Sequence, residues 1–263
     1  SRPGTPGWHS ECVCMICGTL NGNFPPKSKS VEPIIDIHTG GEDHIDIHHK
    51  NEILQAQALG FNLSKSWLHN KFVMVDGGKM SKSLGNVYLV TGKHENTGFY
   101  SLTNPPQEVS QKLQSKYQVN GFDPLAYRLM LMEHHYTEQM NFTWEKLEQS
   151  QNRLWNLRKE AAKLGEIATV VKSEIESNSE FDKLVSVLTD NLNFPKFLEQ
   201  YQSLLLQATK TKDDDLAKLL KFLEQEILQL NLFPKIPNEI FKLAASRAGA
   251  KESKDFVNSD RIR

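Results

Sequence analysis

The sequence predicts an α/β half followed by a bundle of α-helices. Residues 1–100 are rich in glycine, histidine and β-branched residues, and two short apolar runs there each lead into a pair of glycines. A stretch with helical spacing lies between the two runs, and alternation of strand, helix and strand is typical of an α/β sheet. From Asp123 onward, apolar residues recur at helical spacing in several stretches. We therefore expect one domain over 1–122 and a second over 123–263.

The first half contains two predicted strands and one predicted helix. Residues 34–38 predict a short buried strand, and residues 71–75 predict a second one. Residues 48–59 predict a helix, because apolar side chains recur there on one face. The Pro/Lys/Ser-rich stretch 21–33 predicts a surface loop, and the polar stretch 91–121 predicts an irregular, mobile insertion.

The second half opens with a strong helix start. Asp123 is a suitable N-cap, and Pro124 suits the first helical position because its missing N–H is not needed there. Thr211 is expected to cap a later helix. Further helices are predicted over 144–164, 197–208 and 216–230, and after Pro237.

Composition excludes several classes of protein. The chain has 263 residues, of which 38% are hydrophobic and 24% charged, so it can bury a core. No apolar run reaches the roughly 20 residues needed to span a bilayer, so no membrane association is expected. The formal net charge of −1 disfavours a generally basic nucleic-acid binder but allows a local basic face.

The three cysteines and the chain ends suggest the setting of the protein. Cys12, Cys14 and Cys17 fall within six residues, a pattern that favours reduced thiols or a metal site in a cytoplasmic protein over a disulfide scaffold. The sequence begins at Ser1 without an initiator methionine and stops at Arg263 without a terminating signal. We therefore expect a fragment of a longer protein.

A basic loop follows the second predicted strand. Lys79, Met80, Ser81, Lys82 and Ser83 place two lysines and two hydroxyls within five residues. Such a loop can hold a polyphosphate, because ammonium groups offset its charge while hydroxyls and backbone N–H groups donate hydrogen bonds. The alternative is a solvated basic loop without a ligand.

A candidate metal site combines residues from two segments. His48 and Glu52 are four residues apart, so a helix would place them on one face, where they could share a metal ion or form a surface pair. Cys12 would complete a Cys–His–Glu set of three zinc ligands, or it could be a small buried apolar residue. Cys14 and Cys17 form a single C-x-x-C pair, so an all-cysteine site of four ligands is not available in this chain.

Four segments in collinear order resemble the cysteinyl-tRNA synthetases, a family of class I aminoacyl-tRNA synthetases. They are 7–12 (Gly-Trp-His-Ser-Glu-Cys), 36–43 (Asp-Ile-His-Thr-Gly-Gly-Glu-Asp), 48–52 (His-His-Lys-Asn-Glu) and 79–83 (Lys-Met-Ser-Lys-Ser). The stretches 122–128 and 141–145 resemble the helices that follow in that family, and 254–256 and 259–263 resemble its anticodon-binding end, so the resemblance covers nearly the whole chain. Ile47 and Lys50 depart from the family pattern, which usually has proline and an acidic residue there.

The resemblance implies a fold for each half. Residues 1–122 would be the C-terminal half of a Rossmann-type catalytic domain, carrying the zinc site and the Lys-Met-Ser-Lys-Ser loop. Residues 123–263 would be a helical bundle that contacts the tRNA stem and binds the anticodon. The amino-terminal half of the family, with its His-x-Gly-His motif and a fourth zinc ligand that is a cysteine, is expected outside this chain, unless Cys14 or Cys17 replaces that ligand.

The resemblance also implies a role for individual residues. Cys12, His48 and Glu52 would hold one Zn²⁺ per chain, and Lys82 with Lys79 would be catalytic. Trp8, His9 and His38 would line the substrate pocket. The implied nucleotide-binding residues are Met80, Ser81, Lys82, Ser83, His38, Gly40, Gly41 and Asp43.

The implied activity is that of a cysteine–tRNA ligase. ATP, used with Mg²⁺, and L-cysteine would give cysteinyl-adenylate, and the cysteinyl group would pass to tRNA(Cys). Zinc would bind and deprotonate the substrate thiol, and a site built on that bond can reject serine by roughly 10⁴ without editing. The expected partners are tRNA(Cys), L-cysteine, ATP and the amino-terminal half, and the expected assembly is a monomer.

Two alternatives stay open at this point. The same core could serve a ligase that joins cysteine to an amino-sugar, or the chain could be an inactive module that binds zinc or tRNA. From Pro237 onward there are six basic and four acidic residues, and the difference of +2 is either a weak tRNA footprint or a solvated helix face.

Overall fold

The computed structural model describes residues 4, 6–20, 32–93, 95, 98–167, 170, 172–234 and 238–261. The chain divides into two compact units, one of Ser1–Asn152 with Val185–Glu199 and the other of Arg153–Leu184 with Gln200–Arg263. The division between 1–122 and 123–263 stays a prediction. The loop expected over 21–33 lies outside the described residues except at its last two positions.

The first unit begins with a helix and a two-stranded parallel sheet. Its first elements in chain order are α1 (Trp8–Leu20), β1 (Ile35–Gly41), α2 (Lys50–Ala58) and β2 (Ser64–Asn70). The strands pair in parallel from Ile35 opposite Ser64 to Gly41 opposite Asn70. Parallel strands need a crossover connection, and α2 provides it. A short 3₁₀ turn and a π-helical turn, Ile45–His49, lead from β1 into α2.

The predicted elements of this region are present, with shifted limits. The first strand begins at Ile35 rather than at residue 34, and it is not buried, since Ile37 is 63% exposed. The predicted helix over 48–59 starts as the π-helical turn and continues as α2 to Ala58. The sequence pattern identifies strand and helix by period, but it does not reveal which face another element covers.

A small apolar core joins α1 to the sheet. Val13 and Cys17, one helical turn apart on α1, pack with Ala56 of α2 and with Phe61 and Leu63, which precede β2. All five side chains are buried. Because Cys12 adjoins Val13 on α1, this packing brings the start of α1 close to α2.

A second sheet holds the basic loop. It consists of β3 (Val73–Val75), β4 (Gly78–Lys79) and β5 (Met140–Phe142), in the order β4-β3-β5. β3 and β4 form a hairpin, and both residues of its turn have positive φ, 47° at Asp76 and 77° at Gly77. This is the geometry that tight hairpins favour. β5 pairs with β3 in parallel. The side-chain oxygen of Asn141 on β5 also accepts a hydrogen bond from the backbone N–H of Gly77, a turn residue 64 positions earlier in the chain.

The prediction of an irregular insertion over 91–121 is wrong for residues 107–117. Residues Gln107–Tyr117 form a helix, α3, whose Leu113 is buried. The polar composition misled the prediction because α3 is fastened by charged groups. Lys112 and Lys116 form ion pairs with Glu148, at 2.8 and 2.7 Å.

The helix start at Asp123 is confirmed. α4 (Pro124–Met132) begins with Pro124, and the Asp123 carboxylate accepts a hydrogen bond of 2.9 Å from the Leu125 N–H. The next helix, α5 (Trp144–Ala162), matches the prediction over 144–164 to within two residues.

The second unit is helical in its described residues. It contains the end of α5, α6 (Lys172–Glu176), part of α7 (Ser179–Thr189), most of α8 (Phe194–Thr211), α9 (Asp214–Leu223), α10 (Asn238–Glu252) and α11 (Phe256–Arg261). α8 and α9 pack through buried apolar side chains, and the buried Tyr201 hydroxyl donates a 3.0 Å hydrogen bond to the Leu220 carbonyl. Among the described residues, no helix combines the length and the apolar character needed to cross a bilayer.

The predicted cap at Thr211 is wrong. Thr211 is the last residue of α8, and Lys212 turns the chain with a φ of 55°. Asp213 caps α9 instead, accepting a 3.0 Å hydrogen bond from the Leu216 N–H. The helix predicted over 216–230 changes at Glu224 into a π-helical turn that ends at Leu228.

Glu148 gives the first unit a pH-dependent contribution to stability. Hydrogen bonds from Lys112, then Lys116, lower the pKa of Glu148 from 4.5 to about 2, and Tyr117 donates a third of 2.7 Å. Because the folded pKa is depressed, the contribution is complete above pH 4.5 and is lost as the pH falls toward about 2.

We therefore expect Glu148→Gln to lower the free energy of unfolding by about 1–2 kcal/mol at neutral pH, a value reduced for the exposure of both lysines. Urea unfolding of both proteins between pH 7 and pH 3 measures this, and the difference should shrink on acidification. Glu145→Gln, at an exposed position of the same helix, is the matched control. A difference that stays constant with pH would contradict the assignment.

Candidate functional site

Three side chains that are distant in sequence converge in the first unit. One possible ligand atom each from Cys12, His48 and Glu52 lies within 4.8 Å of the other two. Cys12 belongs to α1, His48 to the π-helical turn and Glu52 to α2. The packing of α1 on α2 through Val13 and Ala56 explains how a residue near the start of the chain reaches the helix that follows β1.

The carboxylate at the centre of this cluster lacks ordinary partners. Glu52 is 0% exposed, and neither oxygen has a hydrogen-bond partner among the described residues. Oε1 lies 3.2 Å from His48 Nε2, and Oε2 lies 3.4 Å from His38 Nε2. Burial raises the pKa of Glu52. A buried carboxylate in this condition is costly unless a cation or a donor compensates it.

The donor set fits a zinc ion. Burial also raises the pKa of Cys12, and the negative charge of Glu52 adds to that effect. Both shifts favour the protonated groups, so the two side chains would become anions together only with a cation between them. A thiolate, an imidazole and a carboxylate are all ligands that Zn²⁺ accepts in proteins, and three protein ligands leave a position for a further ligand.

Aromatic and imidazole rings surround the cluster. Trp8 packs on His48 with ring centres 4.3 Å apart, and the residue as a whole is 61% exposed. His38 stacks on Trp67 at 4.5 Å with nearly parallel rings. His49 Nδ1 lies 2.7 Å from His69 Nε2, a hydrogen-bond distance.

The central histidines are held in their neutral form. Burial lowers the pKa of His49 most strongly, and the neighbouring His38 and His69 lower it further, from 6.5 to about 4. Burial likewise lowers the pKa of His38 and of His48. Neutral imidazole is the form that binds metal ions and can accept a hydrogen bond.

Gly40 makes room for this crowding. A Cβ atom at residue 40 would lie 2.5 Å from His49 Cε1 and 3.0 Å from His44 Nδ1. Any larger residue would therefore displace the ring of His49. At Gly41, a Cβ atom would lie 2.6 Å from the Asp43 carboxylate. These contacts concern packing, and a role of Gly40, Gly41 and Asp43 in nucleotide binding stays a prediction.

The sequence analysis did not single out four members of the ring cluster. They are His44, His49, Trp67 and His69. A signal existed in β2, where Trp67 and His69 alternate and therefore point to one face. Register places them opposite His38 and Gly40 of β1, but that register is not readable from sequence. His9 belongs to the same region, and its Nδ1 lies 2.8 Å from the Gln55 side-chain nitrogen.

Cys14 and Cys17 do not join the cluster. Cys17 is fully buried among apolar side chains, and Cys14 is exposed on α1. Neither belongs to the groups of metal-ligating side chains found in the described part of the chain. Neither cysteine is therefore placed to supply a fourth ligand.

The Lys-Met-Ser-Lys-Ser loop is organised by one asparagine. Asn86 Oδ1 accepts a 2.8 Å hydrogen bond from the Ser81 N–H, and its Nδ2 donates one of 3.0 Å to the Lys79 carbonyl. Ser81 caps a 3₁₀ turn, Lys82–Leu84, by accepting from the Leu84 N–H. Asn86 thereby ties the beginning of the loop to the residue just beyond it.

The polar groups of this loop remain available to a ligand. The side chains of Lys79, Lys82 and Ser83 are exposed. The hydroxyls of Ser81 and Ser83 lie 3.0 Å apart, and the Lys79 ammonium lies 5.4 Å from the centre of the Phe72 ring. Met80 is only half-buried.

Of the basic residues after Pro237, four lie on two helices and Lys254 lies in the turn between them. Lys242 and Lys251 are exposed on α10, and Arg261 is exposed at the end of α11. Arg263 lies outside the described residues. Ile240 and Leu243 on α10 are also more than 45% exposed, so the surface is mixed in character.

Comparison with known proteins places the chain in one family. Residues 2–102 match the family described as the class I (C) tRNA synthetase catalytic domain. A cysteine–tRNA ligase of Treponema denticola is 31% identical over 99% of this chain and 52% of its own length. Those of Opitutus terrae, at 31% identity, and Wolinella succinogenes, at 30%, align over 99% of this chain and over 48% and 52% of their own lengths.

The chain thus spans about half the length of the curated relatives it matches. Among solved structures, a chain of the ternary complex of Agrobacterium radiobacter K84 agnB2 LeuRS-tRNA-LeuAMS aligns with 76% of this chain and 27% of its own length. It has 17% identity and a TM-score of 0.43, which is too low to support an argument. The predicted α/β class agrees with the family match and with the parallel sheet. The family match over residues 2–102 and the relatives that align over 99% of this chain confirm the resemblance seen in the motifs: the chain belongs to the class I aminoacyl-tRNA synthetases, in the family of the cysteine–tRNA ligases.

Proposed function

We propose that these residues serve a cysteine–tRNA ligase, which activates L-cysteine with ATP to cysteinyl-adenylate and transfers it to tRNA(Cys). The observation that carries the proposal is the convergence of Cys12, His48 and Glu52 around a buried carboxylate. The names of the relatives described above favour this activity over the amino-sugar ligase. Because the chain spans about half of those relatives, the activity is proposed for the protein to which it contributes.

Selection of cysteine over serine is the central chemical task. A bound zinc ion would supply affinity for the thiolate of L-cysteine, which the hydroxyl of serine cannot match. Cys12, His48 and Glu52 would hold one ion per chain, and the fourth ligand would come from the amino-terminal half. The burial of His48 and Glu52, with Cys12 half-buried beside them, supports the proposal, because water competes poorly for ligands in such a place.

The rings around the cluster would form the amino-acid pocket. Trp8 offers a largely exposed aromatic face beside His48. Gln55 fixes the region below it, since its side-chain nitrogen lies 2.8 Å from His9 Nδ1 and donates to the Ser10 hydroxyl at 2.9 Å. Neutral imidazoles at such a wall can orient a small polar substrate without adding charge.

The loop lysines would act on the triphosphate of ATP, which binds with Mg²⁺. Attack of a carboxylate on the α-phosphate develops charge on the leaving pyrophosphate, and positioned ammonium groups stabilise it. Lys82 is exposed and lies in the turn capped by Ser81, which supports this role. Met80, Ser83 and the segment containing His38, Gly40, Gly41 and Asp43 complete the proposed nucleotide site.

Surface charge and cysteine chemistry support the remaining partners and the setting of the reaction. The exposed basic residues of α10 and α11 would meet the tRNA. The three free thiols suit the reducing cytoplasm as the site of the reaction. We propose a monomer that includes the amino-terminal half and works away from membranes.

Metal analysis of the chain tests whether Cys12, His48 and Glu52 hold a zinc ion. We expect the purified chain to retain one zinc ion per molecule at equilibrium dialysis, and Cys12→Ala to lower its zinc affinity at least about tenfold, because a ligand is removed. Cys14→Ala, at an exposed position of the same helix, is the control and should not change the zinc content. Equal zinc content in Cys12→Ala and in the unaltered chain would move the ligand elsewhere.

The isolated chain should not activate cysteine. The His-x-Gly-His motif and the fourth zinc ligand of the family do not occur in its sequence, so the adenylate site would be incomplete. ATP–pyrophosphate exchange with and without L-cysteine measures this, with an intact cysteine–tRNA ligase assayed in parallel. Exchange above background by the chain alone would contradict the division of the active site proposed here.

A further inference from the structure

We propose that His38 is a positioning residue for Glu52, and that it holds the carboxylate oxygen that does not face His48. The carboxylate would then present its other oxygen toward Cys12 and His48. This inference rests on the metal site of the proposed function. It assigns His38 a task in that site beyond lining the pocket.

The two oxygens of Glu52 face different imidazoles. Oε1 lies 3.2 Å from His48 Nε2, whereas Oε2 lies 3.4 Å from His38 Nε2. Glu52 is fully buried, so no solvent can stabilise either oxygen in place of these rings. Carboxylates that bind metal ions are commonly oriented by a hydrogen bond to the free oxygen. His38 Nε2, 3.4 Å from Oε2, is the group placed to form that bond when the ion binds, with the proton on Nε2.

The ring of His38 is itself fixed in orientation. It stacks on Trp67 with centres 4.5 Å apart and an interplanar angle of 18°. His49 packs against it edge-on, also at 4.5 Å. The register of the parallel sheet places His38 directly opposite Trp67, so the stack follows from strand pairing. A donor held in this way loses little freedom when it binds the carboxylate.

A second metal ion on the His38 side is the competing interpretation. His38, His49 and Glu52 also have ligand atoms within 4.8 Å of one another. However, the only anion in that group is Glu52, which the first ion would already use, so the group offers no further negative charge to compensate a second divalent ion. His49 Nδ1 is also engaged with His69 at 2.7 Å. We therefore assign one ion to the cluster.

Cobalt binding to the full 263-residue chain tests this assignment. Co²⁺ reports a thiolate ligand by a charge-transfer band, and competition with a chelator gives the affinity. His38→Phe keeps a ring for stacking on Trp67 but removes the N–H group, whereas His38→Gln restores an N–H donor. We expect His38→Phe to weaken Co²⁺ binding about 10–100-fold and His38→Gln to recover most of the loss. The stoichiometry should be one ion, and His135→Phe, a histidine outside the cluster, should bind like the unaltered chain.

The outcomes distinguish a wrong role for His38 from a wrong metal site. If Cys12→Ser abolishes the charge-transfer band while His38→Phe binds Co²⁺ as tightly as the unaltered chain, the role of His38 is wrong and the metal site stands. Binding of two ions, one of them lost in His38→Phe, also overturns it. If the unaltered chain shows no cobalt–thiolate band, the metal site itself fails. His38→Leu, which is smaller and also lacks the donor, carries the same test if His38→Phe does not fold.

Discussion

The site of the first unit depends on one buried carboxylate, Glu52, whose oxygens have no hydrogen-bond partner among the described residues. Glu52 can remain in that position only if its neighbours or a cation compensate its charge. The apolar contacts of Val13 and Cys17 with α2 bring α1 against Glu52 and thereby deliver the Cys12 thiol. The core beneath the site and the chemistry of the site are thus two aspects of one packing arrangement.

The same packing explains why so many histidines can lie together. Burial lowers the pKa of His38, His48 and His49, and charged imidazoles would repel one another, so these three rings are stable in their neutral form. Gly40 allows the closest approach, since a side chain there would collide with His49. Neutral rings leave the site open to a cation held by Cys12 and Glu52, which an array of imidazolium groups would repel.

The basic loop is positioned through its backbone and not through burial of its side chains. Its lysines gain nothing from burial and stay in solvent, so the fold acts on the backbone that carries them. The Asn86 side chain forms hydrogen bonds with the backbone of both Lys79 and Ser81. The Asn141 side chain of β5 accepts one from the Gly77 N–H in the preceding hairpin. β5 lies more than 50 residues after the loop in the chain, yet it pairs with β3 in the same sheet. It therefore helps to set the position of the loop.

The sequence by itself determined the features that depend on neighbouring residues. Helical period placed His48 and Glu52 on one face, the Asp123 cap started α4, and the ordered motifs identified the family. Tertiary structure alone decided that Cys12 rather than Cys14 or Cys17 reaches Glu52, that His38 contacts its second oxygen, and that the polar stretch 107–117 is a helix fastened by Glu148. The physical reason is range: caps and periodicity act within a few residues, whereas helix packing, strand register and ion pairs join segments that the sequence holds far apart.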